Sequence, residues 1–439
     1  MVFDSFLKFL RCLDFWFNSA ICTNLLVYSN RQLSVNMKKV LFLFPHFIGH
    51  LNRSFSFAEK HLRDSDQVLY LIFAKQVFPL SYPCVFLERG RFGSLLKKSV
   101  KERWDWAQTE SEVLKSREML RGLVKDLSPD IVYVDDFCAA DLLLIWDMVD
   151  LSKVCILSPS FPAQRNGQIP PQQRFSQPGS HAGEEWDKWE TEGFEAPITK
   201  MVCELVLYVS KKLGLPDSHS IWNFFETIPM YKNIRKQYCV CPDFDFPGQK
   251  LMPWESYAGW NVQLDREQQI DGAVAFLVKK AKSHPRNRLI YVSLGTVILD
   301  FIPKPKLVDF FEKVISIGND NPYWYFFVQA PPAIAVAIRP KSINVFIRSF
   351  LPQVYLLRHA NLSLSHGGTN STAEAVLLGV PLLVFPTIDF LDTKGVCSRV
   401  VYHKLGRAAE LDISRDDLYQ TIKEMVDSHL DTDLSSSLT

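Results

Sequence analysis

From Met37 onward, short apolar runs alternate with stretches whose apolar residues recur at helical spacing. A parallel α/β sheet requires this pattern, because both of its faces are covered by helices. The runs predict strands over residues 40–44, 68–73, 131–134, 154–157 and 237–241, then a second series over 289–293, 324–328, 345–347, 361–364 and 382–385. Between the two series, Pro159, Pro162, Pro170, Pro171, Pro178 and Gly179 interrupt a Gln- and Ser-containing stretch. It reads as a long loop suited to carrying binding specificity. The boundary is expected within residues 247–267, giving halves of 37–255 and 256–430 and a tail of 431–439. No repeat of solenoid period is present, so two Rossmann-like parallel-sheet domains facing a cleft are the simplest arrangement.

Residues 1–36 differ in character. Phe3, Phe6, Leu7, Phe9, Leu10 and Leu13 fall at helical spacing, but Lys8, Arg11 and Asp14 interrupt them. The stretch reads neither as a membrane span nor as a signal peptide, since Asp14, Asn18, Asn24 and Asn30 break any apolar centre. Met37-Lys38-Lys39-Val40 running into an apolar strand resembles a natural start, so residues 1–36 are expected to be a dispensable extension. An amphipathic surface anchor, making peripheral membrane contact, is the alternative.

A length of 439 residues with 47% hydrophobic composition supplies two domains of ordinary size. A formal net charge of +1 with well-mixed charges gives no field that would attract nucleic acid. Nine cysteines, an odd number, lie mostly in apolar contexts such as Cys138, Cys155, Cys203 and Cys397. They read as reduced thiols, which predicts a cytoplasmic setting. Cys239-Val240-Cys241 is too isolated to suggest zinc. Asp-x-Asp triplets at 64–66, 243–245 and 431–433 lack a strand-end setting, so no metal site is expected.

Chemistry is densest over residues 350–386. Phe350-Leu351-Pro352-Gln353 precedes an apolar strand, then Ser365-His366-Gly367-Gly368-Thr369-Asn370-Ser371 leads into a helix carrying Ala373, Ala375, Val376 and Leu377. A flexible glycine turn between strand and helix places backbone N–H groups and a positive helix end where an anion can sit without a metal. His366, Asn370 and Ser371 add donors for phosphate oxygens, and Glu374, about one turn into the helix, can accept from a ribose hydroxyl. In the first half, His50 follows the first strand at its carboxyl end, where such folds bind ligands. Asp135 and Asp136 end another predicted strand, and either offers the carboxylate that would orient a histidine base.

These motifs resemble the UDP-glycosyltransferase superfamily, whose members are inverting enzymes of GT-B architecture that need no cofactor beyond the nucleotide-sugar co-substrate. The resemblance is dense at His50, Asp135, Ser293 and residues 350–392. It implies that His366, Gly367, Gly368, Asn370 and Ser371 hold the diphosphate, that Glu374 holds the ribose, and that Phe350 and Gln353 line the base. Many relatives place Trp where this chain has Phe350. Ser293-Leu294-Gly295-Thr296 resembles the family's second phosphate-side loop. Gly49-His50-Leu51-Asn52 matches the position of the general base, and the spacing favours His50 over His46. The matching acid is Asp135.

On this basis the expected reaction moves a sugar from a UDP or dTDP donor to a hydroxyl of a small, apolar or lipid-like acceptor. The sugar-reading pair, commonly Asp-Gln or Glu-Gln in relatives, is Asp389-Phe390 here, and Thr393 stands where Asn is usual. Asp389 still offers a carboxylate to sugar hydroxyls. That departure keeps open a non-catalytic nucleotide-sugar-binding partner subunit, and a same-fold nucleotide-sugar epimerase is a further alternative. Trp186 and Trp189 beside the Pro-rich loop are compatible with a flat acceptor, and equally with core packing.

Overall fold

The computed structural model describes residues 37–45, 47–73, 82–87, 106–195, 211, 214, 231, 233–295, 302–387 and 392–427. His46, Thr296, Asp389, Phe390 and the expectations for residues 1–36 and 431–439 lie outside the described residues. The chain divides into two compact units, each built on its own parallel sheet.

The first unit contains β1 (Lys39–Pro45), β2 (Gln67–Phe73), β3 (Cys84–Leu87), β4 (Ile131–Asp135), β5 (Val154–Ser158), β6 (Arg235–Tyr238) and β7 (Glu255–Tyr257) in the order β3-β2-β1-β4-β5-β6-β7. Every pairing is parallel. Side-chain alternation explains why β1 reads as one continuous apolar run. Val40, Phe42 and Phe44 pack under Leu51, Phe55 and Ala58 of the helix Ile48–Arg63. Leu41 and Leu43 face the opposite layer with Leu120, Leu123 and Val124 of the helix Trp106–Leu127. The chain leaves β1 towards β2 and β3, then returns to β4 on the other side of β1. The carboxyl ends of β1 and β4 therefore form the topological switch point.

The second unit contains β8 (Arg288–Ser293), β9 (Trp324–Gln329), β10 (Val345–Arg348), β11 (Leu362–Ser365), β12 (Leu382–Val384) and β13 (Gly406–Ala408), ordered β10-β9-β8-β11-β12-β13 and again all parallel. Ile290 and Val292 pack with Phe310, Phe311 and Val314 of the helix Lys304–Asp320, and with Leu418, Ile422 and Met425 of the helix Arg415–Asp427. Here the switch point lies between β8 and β11, where Ser293 pairs with Ser365.

The division differs from contiguous halves meeting near residue 256. Ser160–Trp189 and Val240–Lys250 pack within the second unit, alongside the chain from Val262 onward. The reason is visible on the helix Thr393–Tyr402. Gln177 donates to the Ser398 carbonyl at 3.0 Å, Ser398 Oγ donates to the Ser176 carbonyl at 2.5 Å, and a Cβ on Gly395 would lie 2.1 Å from the Gln172 carbonyl oxygen. The Pro-rich stretch is thus irregular in backbone but packed. Trp186 and Trp189 are buried, and the Trp186 indole donates to the Ile169 carbonyl at 2.7 Å, which makes these rings core rather than acceptor surface.

Candidate functional site

In the first unit the helix Ile48–Arg63 begins almost directly after β1, so His50 falls in its first turn at the switch point. Asp135 is the last residue of β4, which pairs with β1 through Leu43 and Val134. Adjacent strand ends bring the two side chains together: His50 Nδ1 lies 2.8 Å from Asp135 Oδ2. The other carboxylate oxygen, Oδ1, accepts the Phe137 N–H at 2.9 Å, so Asp135 also caps the following 3₁₀ segment Asp136–Ile145. Donation from Nδ1–H to the carboxylate leaves Nε2 as the nitrogen that takes up a proton. The Phe137 ring stands edge-on to the imidazole with centroids 4.6 Å apart, restricting its rotation.

Both acids are buried, but they divide the work. Asp136 Oδ1 stays 3.9 Å from His50 Nδ1 while its Oδ2 accepts from Ser158 Oγ at 2.6 Å. Burial, reinforced by the neighbouring Asp135 charge, pushes Asp136 up to about 7. Two adjacent carboxylates in one dry pocket resist ionising together, and Asp135 is the one that contacts the histidine. The ligand atoms of His50, Asp135 and Asp136 lie within 4.8 Å of one another, the one such constellation among the described residues. It could hold a cation. Asp135, however, already has both oxygens engaged by His50 and Phe137.

In the second unit the ends of β8 and β11 carry glycine turns. Gly295 and Gly367 adopt φ of +85° and +80°, conformations that side chains disfavour. Space imposes a second requirement. The His366 ring lies between Gly295 and Gly368, and a Cβ at either would come within 2.7 Å of a ring atom. At Gly367 an added Cβ would meet Cys397 Sγ at 2.3 Å. Burial lowers His366 to about 4, so the imidazole is neutral at pH 7. Among the described residues its buried Nδ1 has no hydrogen-bond partner, and neither has the buried Oδ1 of Asn370. The helix Thr369–Leu377 starts at Gly368 without a side-chain cap, leaving its first N–H groups without intrahelical acceptors. The His366 nitrogen beside an uncapped helix start suits a bound anion, whereas the Asn370 oxygen, an acceptor, does not. Ser293 contributes its hydroxyl to the same strand ends, accepting weakly from Gly295 N at 3.4 Å.

Behind this turn, Gln353, Ser371, Asn370 and Glu374 form one network. Gln353 Nε2 donates to Glu374 Oε2 at 2.7 Å and approaches Ser371 Oγ at 3.2 Å, while Tyr291 OH donates to Gln353 Oε1 at 3.1 Å. Asn370 Nδ2 donates to Glu374 Oε1 at 2.7 Å. Phe350 stands 71% exposed, with its flat face available for stacking. Sequence reasoning missed two neighbours. Arg266 reaches Glu374 Oε1 at 2.9 Å, and Asp392 accepts from Thr369 Oγ1 at 2.7 Å and Ser160 Oγ at 3.0 Å. Arg266 was not readable, because it comes from an irregular stretch with no periodicity to place it, and the Asp392 bond to Ser160 reaches into another such stretch.

Two of the acidic triplets have structural roles. Asp66 accepts from the Lys38 N–H at 3.0 Å and pairs with His61 Nδ1 at 2.7 Å, and Asp245 is bound to Arg399. The third lies outside the described residues.

The geometry around His366 makes Gly295→Ala a sensitive probe of the cradle. The new methyl group would both strain the backbone and displace the imidazole, and nucleoside diphosphate affinity measured by calorimetry is expected to fall roughly 10- to 100-fold. Unchanged affinity would remove His366 and the Gly295 turn from the binding site.

Residues 238–433 match the family described as UDP-glucoronosyl and UDP-glucosyl transferase. The chain is 36% identical over 103 residues to the NDP-glycosyltransferase YjiC of Bacillus subtilis, covering 22% of this chain and 24% of that protein. It is 32% identical over 118 residues to the demethyllactenocin mycarosyltransferase of Streptomyces fradiae, covering 27% and 24%. The matched stretch thus spans about a quarter of each relative's length. The solved glycotransferase of kitacinnamycin aligns with a TM-score of 0.64 at 16% identity, covering 92% of this chain and 94% of that one, a likeness of fold. Two parallel-sheet α/β units of this kind constitute the GT-B architecture. Residues 238–433 thus resemble the UDP-glycosyltransferase family, and the chain as a whole shares the fold.

Proposed function

We propose that this chain is an inverting glycosyltransferase that moves a sugar from a UDP or dTDP donor to a hydroxyl of a small, apolar acceptor. The observation that carries this reading is the 2.8 Å His50–Asp135 contact at one switch point, taken with the neutral His366 ring and the uncapped helix start at the other. Each unit has one task. In the first, His50 Nε2 takes the acceptor's proton while Asp135 stabilises the imidazolium that forms. The acceptor oxygen attacks the anomeric carbon, the bond from that carbon to the diphosphate breaks, and the configuration inverts in one displacement.

In the second unit, charge growing on the departing diphosphate is met by the first turn of Thr369–Leu377, by His366, Asn370 and Ser371, and by the Ser293–Gly295 turn with Thr296. Because His366 is neutral, it serves as an N–H donor and not as a counter-ion. Phe350 and Gln353 line the base, Glu374 lies beside the ribose, and Asp389 contacts the sugar. A deoxysugar donor fits the loss of a hydrogen-bonding side chain at Phe390, and the mycarosyl relative's name accords with it. No divalent cation is assigned a role, since donors, helix end and His50–Asp135 pair together supply the charge stabilisation. A reducing, cytoplasmic setting fits the six described cysteines, all free thiols. Among the described residues no helix is long and apolar enough to cross a membrane.

Release of nucleoside diphosphate from UDP- and dTDP-sugars, measured against a panel of hydroxylated apolar acceptors with and without EDTA, tests this reading. Acceptor-dependent release that EDTA leaves unchanged is expected. Binding without turnover across the panel would favour a non-catalytic partner subunit, and activity lost to EDTA would turn His50, Asp135 and Asp136 into a cation site.

A further inference from the structure

Glu374 is fully buried, yet it is not left for a ligand. Its Oε1 receives both Arg266 Nη1 at 2.9 Å and Asn370 Nδ2 at 2.7 Å, and its Oε2 receives Gln353 Nε2 at 2.7 Å. Arg266 comes from the segment through which the chain enters the second unit after Asn261, and it is fixed there by donating to the Gln263 carbonyl at 2.9 Å. Its side chain is 18% exposed, so the guanidinium forms the partly wetted outer cover of a carboxylate that has no exposure of its own. An ionised acid with an arginine partner makes a stronger bond than the same acid makes with an alcohol. A ribose hydroxyl arriving at Glu374 would replace a charge-assisted bond with a weaker one and gain little.

We propose that Arg266 is a specificity-determining residue: by occupying Glu374 it makes the site indifferent to the 2′-hydroxyl of the nucleoside, so that ribo- and 2′-deoxyribonucleotides are accepted alike. The inference rests on the assignment of Glu374 to the ribose. The chemical class selected is a pyrimidine nucleoside diphosphate whose furanose is read by shape and not by its 2′-oxygen. A site that hydrogen-bonds a hydroxyl rejects the analogue lacking it, because the buried partner is left unsatisfied. Here Arg266 already satisfies that partner.

UDP and 2′-deoxy-UDP differ only in this hydroxyl, and calorimetric titration of each into the full-length protein reads the effect directly. The native protein is expected to bind the two within about threefold of each other. Arg266→Met, which keeps the apolar stem and removes the guanidinium, is expected to favour UDP by roughly 10- to 100-fold. Adding Glu374→Gln to that variant should return the ratio towards the native value. Arg266→Gln, a less drastic change, should move the ratio in the same direction as Arg266→Met if the latter folds poorly. A native preference for UDP above tenfold, or a ratio that neither variant changes, would overturn the proposal while leaving nucleotide binding intact. Failure of the native protein to bind either nucleotide would instead overturn the nucleotide-binding reading itself, and the Arg266 inference with it.

Discussion

His50→Ala is expected to lower kcat by roughly 100- to 10,000-fold while leaving the dissociation constant for UDP within about twofold of the native value. The split follows from where the side chain sits. His50 belongs to the first unit, whereas every group assigned to the nucleotide belongs to the second. Removing the imidazole takes away the base and leaves the diphosphate cradle untouched. Asp135→Asn should approach the same loss in kcat, because an amide facing Nδ1 no longer fixes the proton there or stabilises the imidazolium. Asp136→Asn should cost much less, since Asp136 hydrogen-bonds Ser158 and stays 3.9 Å from the ring. Steady-state kinetics with calorimetry on the same preparations separates these outcomes. Native turnover in His50→Ala would remove the base from the mechanism.

The second large effect is on stability. Arg399 and Asp245 are each only 1% exposed and are joined by bonds of 2.9 and 2.6 Å from Arg399 Nε and Nη2 to Asp245 Oδ1. The guanidinium also lies between the rings of Phe161 and Phe246, 3.8 and 4.2 Å from their centroids. Phe161, Asp245 and Phe246 come from the two stretches that precede Val262 in sequence but pack within the second unit. The pair therefore fastens those stretches onto the helix Thr393–Tyr402. Asp245→Ala leaves a buried cation without its carboxylate, which costs about 3–5 kcal/mol. For a unit of this size the melting temperature should fall by roughly 10 °C. Asp245→Asn, which retains a hydrogen-bond acceptor, should fall less. Thermal unfolding followed by circular dichroism reads both, and a melting temperature shared by Asp245→Ala and the native protein would show that the pair is not a fastening point.

The central strands were legible because each is buried on both faces and reads as a continuous apolar run. β1, β2, β4, β5, β8 and β9 fall within a residue or so of their expected bounds. Misreadings cluster where burial and composition disagree. β6 begins at Arg235 and ends at Tyr238, although Arg235 and Lys236 look like solvent residues. Lys236 is buried, with its ammonium 4.6 Å from the Tyr238 ring centroid. β3, β7 and β13 went unread; all three are short edge strands, and β7 and β13 carry no apolar run. The strand expected from Asn361 begins at Leu362, because the Asn361 side chain is occupied in accepting the Leu289 N–H at 2.8 Å.

Site residues next to a strand end were readable for the same reason as the strands themselves. His50, Asp135, Gly295 and His366 all follow an apolar run directly. Glu374 could be placed on its helix, but nothing in the sequence indicated that Arg266, more than 100 residues earlier, would cover it. The Pro-rich stretch illustrates the same limit. Its composition predicted irregular backbone correctly, but which unit it would pack against depended on Arg399 and Ser398, far along the chain.

The most direct test of the account is the configuration of the transferred sugar. A proton NMR time course with an α-linked UDP- or dTDP-sugar and an accepted alcohol should show a β-linked product appearing in step with nucleoside diphosphate, in the native protein and not in His50→Ala. An α-linked product, or an epimerised donor with no transfer, would contradict single displacement with His50 as the base.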